Sequence, residues 1–398
     1  MKINVWDSSV PVEKSAYLCG NDVSFFNIEN FQHDPSKLTM LDLFCGAGGF
    51  AVGCSWAGFE SVFGVDYFEP AMETWCENHK HSIGCLGDIR KIDPKKIKDF
   101  LLSKGVSHIN MITGGVPCQG FSRANRKHND NDERNFLFLE YIKYVDIFKP
   151  DCIILENVSG MRSTAGGHFE NEIKKQMELL DYTVTISLLQ AADFGVPQFR
   201  SRLIFVGIRN DSGLKKPFVF PKGTFTPSTY RTVQDAFSDL PELLPSQKKS
   251  KYKTEPMNDY QAFLRGCIKE FDIDEPKELF NHAAPNHPLE TIRMIKNTPQ
   301  GKPMYEKFKQ RIRLNLKSPS PTQLAGGIRP SFQFGHPIEA RGLSTRERAR
   351  IQSFPDSYIF KGGIVQERVQ TGNAVPPLLI YNIAKILKSY FDERIKNV

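Results

Sequence analysis

The sequence contains no CxxC pair. Its eight cysteines are scattered over 398 residues, so neither a zinc site nor a disulfide framework is suggested. In a reducing compartment most of them serve as small core residues. No apolar run approaches the ~20 residues that a membrane span requires. The opening MKINVWDSSVPVEK lacks the apolar core of a secretory signal. These absences predict a cytoplasmic protein with no membrane partner. His79 and His81 lie two apart where a helix-like segment ends, and no metal site is expected from them. Internal repeats and low-complexity tracts are also missing.

Extreme charge is absent too, since 52 Lys+Arg against 45 Asp+Glu gives only +7. The distribution is more informative. From Gln198 to Pro330 there are 23 Lys+Arg against 13 Asp+Glu, so this segment is basic and the remainder slightly acidic. Charge alone leaves two readings open, a polyanion-binding lobe on a neutral catalytic lobe or a solvated basic surface.

What is present is an alternation. Apolar strand-like runs occur at TMLDLF (39–44), ESVFGVD (60–66), INMITGG (109–115), DCIILENV (151–158), TVTISLLQ (183–190) and RLIFVGI (202–208). Helix-like segments fall between them, including 135–148, where Phe136, Leu137, Tyr141, Tyr144, Val145 and Phe148 can share a face. Strands alternating with helices predict a doubly wound, mostly parallel α/β domain. The pattern fails after about residue 210 and returns with STRERARIQSF (344–354) and an amphipathic helix at 376–391. The expected organisation is an N-terminal extension strapped to the surface (1–38), a catalytic α/β domain (39–210 plus 341–398) and an inserted second domain (211–340).

Between the first strand and its helix lies the glycine turn Phe44-Cys45-Gly46-Ala47-Gly48-Gly49-Phe50. Glycines there allow positive φ and close approach of backbone to a ligand. Asp66 ends the next strand, where a carboxylate can meet a ribose diol. The turn lacks GxGxxG spacing, so an adenosine-type ligand fits better than a dinucleotide. Asp88, in Gly87-Asp88-Ile89, is a candidate to receive an adenine amino group.

A second loop, Gly114-Gly115-Val116-Pro117-Cys118-Gln119-Gly120-Phe121-Ser122, follows a buried strand. Strand carboxyl ends carry the site in such folds. Cys118, held after Gly-Gly and a proline, suits a presented nucleophile. The polar run 123–134 suits a loop able to close over a substrate.

The series DLFCGAGGF, GGVPCQGFS, ENV (156–158), QFRSR (198–202), RGLSTRERARIQSFPD (341–356) and TGNAVPP (371–377) resembles the ordered motifs of the C5-cytosine DNA methyltransferases of bacterial and phage restriction-modification type. The resemblance covers roughly 39–210 and 341–385. It departs in detail: Asp66 stands where the family often has Glu, Val116 where Pro is frequent, and Thr371 where a larger apolar residue is common. The Pro-Pro-aromatic tetrapeptide of amino-methyltransferases does not occur.

The resemblance implies a S-adenosylmethionine-dependent methyltransferase fold with an inserted target-recognition domain. It implies a cofactor pocket of Phe44, Gly46, Gly48, Asp66, Tyr67, Asp88, Ile89, Pro117, Leu137, Asn373 and Val375. The Cys118 thiolate would add to C6 of a flipped-out cytosine, making C5 nucleophilic toward the methyl donor. Glu156 would hydrogen-bond at N3, with Arg200 and Arg202 beside it. The two arginines alternate along one strand and are expected on one side. The implied partners are double-stranded DNA and a cognate restriction endonuclease, with the enzyme acting as a monomer. A tRNA cytosine-5 methyltransferase of the same fold is the alternative, against which the insert of about 130 residues stands.

DNA contacts are expected from Gln119, Ser122, Arg123 and Arg126 in the closing loop. Further contacts are expected from KFKQRIRLNLK (307–317), whose alternation predicts a strand presenting Lys309, Arg311 and Arg313 to phosphates while Phe308, Ile312, Leu314 and Leu316 face the core.

Overall fold

The computed structural model describes residues 12–13, 23–117, 137–162, 168–244, 246–325 and 333–396. The strands among these described residues are β1 (Val12–Glu13), β2 (Ser24–Phe26), β3 (Leu38–Leu43), β4 (Phe59–Asp66), β5 (Ile83–Leu86), β6 (Met111–Gly115), β7 (Cys152–Val158), β8 (Tyr182–Gln190), β9 (Gln198–Phe199), β10 (Ser201–Arg209) and β11 (Ser320–Pro321). Nine form one sheet in the order β1-β2-β5-β4-β3-β6-β7-β10-β8. The centre, β5-β4-β3-β6-β7, is parallel. Its strands read as continuous apolar runs because helices cover both faces. β10 joins antiparallel to β7. The strand order reverses between β3 and β6, the switch point outside whose carboxyl ends such folds bind ligands.

Each helix has a local cause. α1 (Gly49–Trp56) starts at Gly48, whose φ of 82° only glycine adopts at little cost. α2 (Glu69–Asn78) has Pro70 in its first turn. α3 (Pro94–Ser103) is capped by the Asp93 carboxylate, which accepts from Lys95 N. In α4 (Leu137–Phe148) the buried face is Phe138, Tyr141, Tyr144, Val145 and Phe148. Leu137 is half-buried, and Phe136 lies outside the described residues. α3, α4 and α5 (His168–Leu179) contribute Ile97, Tyr141 and Met177 to one large core cluster. A second cluster joins Met72, Trp75 and Cys76 of α2 to Phe26 and Cys45.

The extension is more than a strap. β2 pairs antiparallel with β5 and β1 with β2, and Phe25 and Phe26 are fully buried. Its two described strands are part of the sheet.

The chain forms two compact units. One holds Met1–Leu189, Ser201–Pro221 and Tyr381–Val398, and the other Gln190–Arg200 and Lys222–Ile380. The second unit is thus wider than the irregular 211–340 segment. It contains α6 (Val233–Phe237), α7 (Asp259–Leu264), α8 (Leu289–Asn297), α9 (Thr345–Ile351), α10 (Ile364–Asn373) and the parallel pair β9–β11. Its interior combines apolar residues such as Phe237, Tyr260, Leu264, Ile351 and Phe354 with buried ion pairs. Arg350 contacts Asp239 and, at 2.6 Å, Asp356. Arg341 pairs with Glu347 at 2.6 Å, with both side chains buried. Glu347 also completes the capping box of α9 with Ser344. α11 (Pro377–Lys396) closes the chain. No helix among the described residues is long and apolar enough to cross a membrane.

Candidate active site

The glycine turn leaves β3 through three left-handed residues, Phe44 (φ 54°), Gly46 (φ 52°) and Gly48 (φ 82°). Gly46 N donates to Asp66 Oδ2 at 2.8 Å, and Phe68 N donates to Asp66 Oδ1 at 2.8 Å. The carboxylate at the end of β4 is thereby aimed by the turn on β3. Burial pushes its pKa up, against the pull of these backbone donors. A Cβ built on Gly46 meets no described atom within 4 Å. Its φ favours glycine, and no described side chain crowds the space beside it. Tyr67, next to Asp66, is 68% exposed. A glycine cradle beside an oriented carboxylate and an exposed ring fits an adenosine-containing cofactor.

Asp88 also caps the turn that follows it. Its Oδ1 accepts from Arg90 N at 3.0 Å, and its carboxylate pairs with the Arg90 guanidinium at 2.6 Å. Ile89 is buried beside it in the large cluster. Pro117 is half-buried and Val375 buried, while the Asn373 side chain is exposed. The Asn373 carbonyl accepts from Arg200 Nη2 at 3.4 Å.

The reacting end is built by register. Glu156 sits opposite Ile204 on β10 and opposite Gly115 on β6. Arg202, two residues from Ile204, is its diagonal neighbour and shares its face. The Arg202 Nε–Glu156 Oε1 distance is 2.5 Å, with both side chains nearly buried. Burial lowers the Arg202 pKa, and the Glu156 charge opposes that shift. On the other side, a Cβ at Gly115 would lie 3.5 Å from Glu156 Oε2 and 4.0 Å from Phe50. Gly115, with no side chain, adjoins this carboxylate oxygen three residues before Cys118.

Two contributors escaped sequence reasoning. Asn157 Nδ2 donates to Val116 O at 3.2 Å and its Oδ1 accepts from Val158 N at 2.8 Å, fixing the strand end that leads to Cys118. Its place in Glu-Asn-Val was the available signal. Asp42, wholly buried on β3, accepts from Thr113 Oγ1 at 3.0 Å. A lone acid inside the apolar run TMLDLF was the signal there. Burial pushes its pKa up to about 7.

Arg200 differs from expectation. β9 ends at Phe199 and β10 begins at Ser201, so the two arginines do not alternate along one strand. The Arg200 side chain is wholly buried. Its guanidinium donates to the carbonyls of Gln323 at 3.1 Å and Gly372 at 3.0 Å, tying QFRSR to TGNAVPP. The contact described for Glu156 is the one with Arg202.

The expected strand over 307–317 is also corrected. Only isolated bridges occur there, at Ile312 and Arg313. Arg311 is buried, its guanidinium 4.7 Å from the Phe308 ring centre and 5.5 Å from that of Tyr305. Arg313 donates to the carbonyls of Lys296, Thr298, His336 and Ile338. A guanidinium with its donors spent on carbonyls is a structural tie. Lys309 alone of the three is exposed. Cys118, Gln119, Ser122, Arg123 and Arg126 lie outside the described residues.

The chain belongs to the C-5 cytosine-specific DNA methylases, whose family model matches residues 38–389. Among curated proteins it is 33% identical to the type II methyltransferase M1.HphI of Haemophilus parahaemolyticus, over 90% of this chain and 88% of that one. It is 31% identical to the type II methyltransferase M.DdeI of Desulfomicrobium norvegicum, over 89% of each. Among solved structures, a candidate DNA modification methyltransferase encoded within an E. coli prophage matches with a TM-score of 0.74 and 25% identity, over 89% of this chain and 99% of that chain.

Proposed function

We propose that this DNA (cytosine-5)-methyltransferase uses Cys118 as nucleophile, takes its methyl group from S-adenosylmethionine, and serves as the modification enzyme of a restriction-modification system. The carrying observation is the Glu156–Arg202 pair, which Gly115 adjoins. Cytosine C5 is too weak a nucleophile to attack a sulfonium directly. Addition of the Cys118 thiolate at C6 splits one hard step into easier ones and makes C5 enamine-like. Negative charge then builds at N3, where Glu156 is assigned the hydrogen bond, while Arg202 fixes the carboxyl's orientation. Once C5 carries the methyl group, loss of its proton to solvent expels the thiolate from C6 and restores the base. When bound, S-adenosylmethionine supplies an electrophilic methyl group. Asp66 is suited to bind its ribose, and no described side chain crowds the turn at Gly46. The target base has to leave the duplex stack, at a cost of a few kcal/mol.

The irregular insert at 211–340 is assigned the choice of target site, and the relatives' type II names support the restriction-modification role. Double-stranded DNA is the substrate, and a restriction endonuclease acting on the same site is the companion. The test is expression in a methylation-free host with 5-methylcytosine mapped across its DNA. One recurring sequence context is expected, and none with Cys118→Ala. A 5-fluorocytosine duplex should trap the enzyme covalently at Cys118. An adduct on another cysteine would overturn the assignment.

A further inference from the structure

Residues ahead of the family match pair with β5, the strand that leads into Gly87-Asp88-Ile89. Ser24 of β2 is in register with Leu86 of β5, which places Val23 against Gly87. A Cβ on Gly87 would lie 2.9 Å from Val23 Cγ2, 3.2 Å from Cγ1 and 3.4 Å from Cβ. Val23 therefore occupies the volume that a side chain at residue 87 would need. Gly87 is also a joint in the backbone. Its N–H donates to the Asp66 carbonyl at 3.0 Å, and the next two residues are Asp88 and Ile89. One glycine thus links the ribose-side acid to the adenine-side turn, and a β-branched residue of the extension holds it down.

The neighbours repeat the fit. Phe25 enters the same cluster as Ile89 and packs edge-on against Phe100 at 6.3 Å. Phe26 packs on the opposite face with Trp75, Met72 and Cys76. Gly84, facing Phe26, is equally bare: a Cβ there would meet Cys76 Sγ at 2.2 Å. Asn27 Nδ2 donates to the Cys76 and His79 carbonyls at 3.2 and 3.3 Å, closing the end of α2.

We propose that the segment 23–27 around β2 forms the back wall of the cofactor pocket, with Val23 as a positioning residue that sets the Gly87-Asp88-Ile89 turn for the adenosine moiety. This rests on the reading of Asp66, Asp88 and Ile89 as adenosine-holding residues. A residue that only stabilised the fold would lower cofactor and DNA affinity together. A residue that sets this turn should lower cofactor affinity selectively.

The test uses the full chain, with S-adenosylhomocysteine as probe by calorimetry and duplex DNA binding measured in parallel. Val23→Ala should raise the Kd for the probe about tenfold, while the Kd for DNA shifts less than about twofold. Gly87→Ala should weaken probe binding similarly by clashing with Val23. The φ of Gly87 lies outside the left-handed region, so backbone strain would not account for that loss. In Val23→Ala/Gly87→Ala the new methyl group fills the space just vacated, and probe affinity should return to within about threefold of wild type. The clash variant and the double variant keep the proposal testable if Val23→Ala alone folds poorly. Unchanged probe affinity in Val23→Ala, equal losses for probe and DNA, or no recovery in the double variant would overturn it. Asp66→Ala separates the two levels. If it binds the probe as wild type does, the pocket reading itself fails. If it loses the probe while the Val23 and Gly87 variants keep it, the pocket stands and the wall does not.

Discussion

Arg202 reaches Glu156 diagonally across the antiparallel pairing of β10 and β7, with 2.5 Å between Nε and Oε1. Neither side chain has much access to water, so each is the other's main counter-charge. Glu156→Gln keeps the shape but removes the acid. Methyl transfer should fall by about 10²–10⁴-fold, the range for a lost general acid, with DNA binding retained. Arg202→Ala should fall comparably by leaving the carboxyl unoriented. Single-turnover methylation with a parallel binding assay checks this, and full activity of Glu156→Gln would remove Glu156 from the chemistry.

The two cations at 309 and 313 should separate in salt and in heat. Lys309→Ala should reduce the slope of log K against log salt by about 0.9 if the lysine meets a phosphate, with melting unchanged. Arg313→Ala abandons four carbonyls and should lower melting while leaving the slope alone. A flattened slope in Arg313→Ala without loss of stability would show that the carbonyl ties do not govern this residue.

Asp42 makes stability fall with rising pH. Its folded pKa, pushed up to about 7 by burial, lies above the ordinary value of 3.8. The contribution of such a group is fully present below the unfolded pKa and is lost as pH rises through the folded one. Between pH 6 and 8 the loss should be about 1 kcal/mol. Asp42→Asn should remove this dependence, so its melting temperature should gain on wild type as pH rises. Parallel melting curves for the two proteins across this window would exclude the effect.

Much of the catalytic unit was legible because its signals are local. Buried parallel strands read as apolar runs, and Gly46, Asp66 and Glu156 sit at strand ends where a doubly wound fold places ligands. The second unit was not legible in the same way. Its helices are short, and buried pairs such as Arg350–Asp239 and Arg341–Glu347 sit among its apolar residues, which interrupts any apolar period. Alternation between 307 and 317 suggested a strand, yet Arg311 is covered by rings and Arg313 by carbonyls. Sequence spacing cannot distinguish a guanidinium spent on the backbone from one offered to phosphate. β2 was missed because three residues carry too little pattern, and adjacent Phe25 and Phe26 are buried on opposite faces.

β2 also affects solubility. Without it, β5 would become the border of the sheet, its N–H and C=O groups unpaired on that side. Gly84 and Gly87 would stand as notches in that border, and Trp75 and Ile89 would lose part of their cover. Such an edge is a template for pairing with another chain. A chain shortened to begin at β3 should therefore self-associate on expression, even with every motif of the family intact.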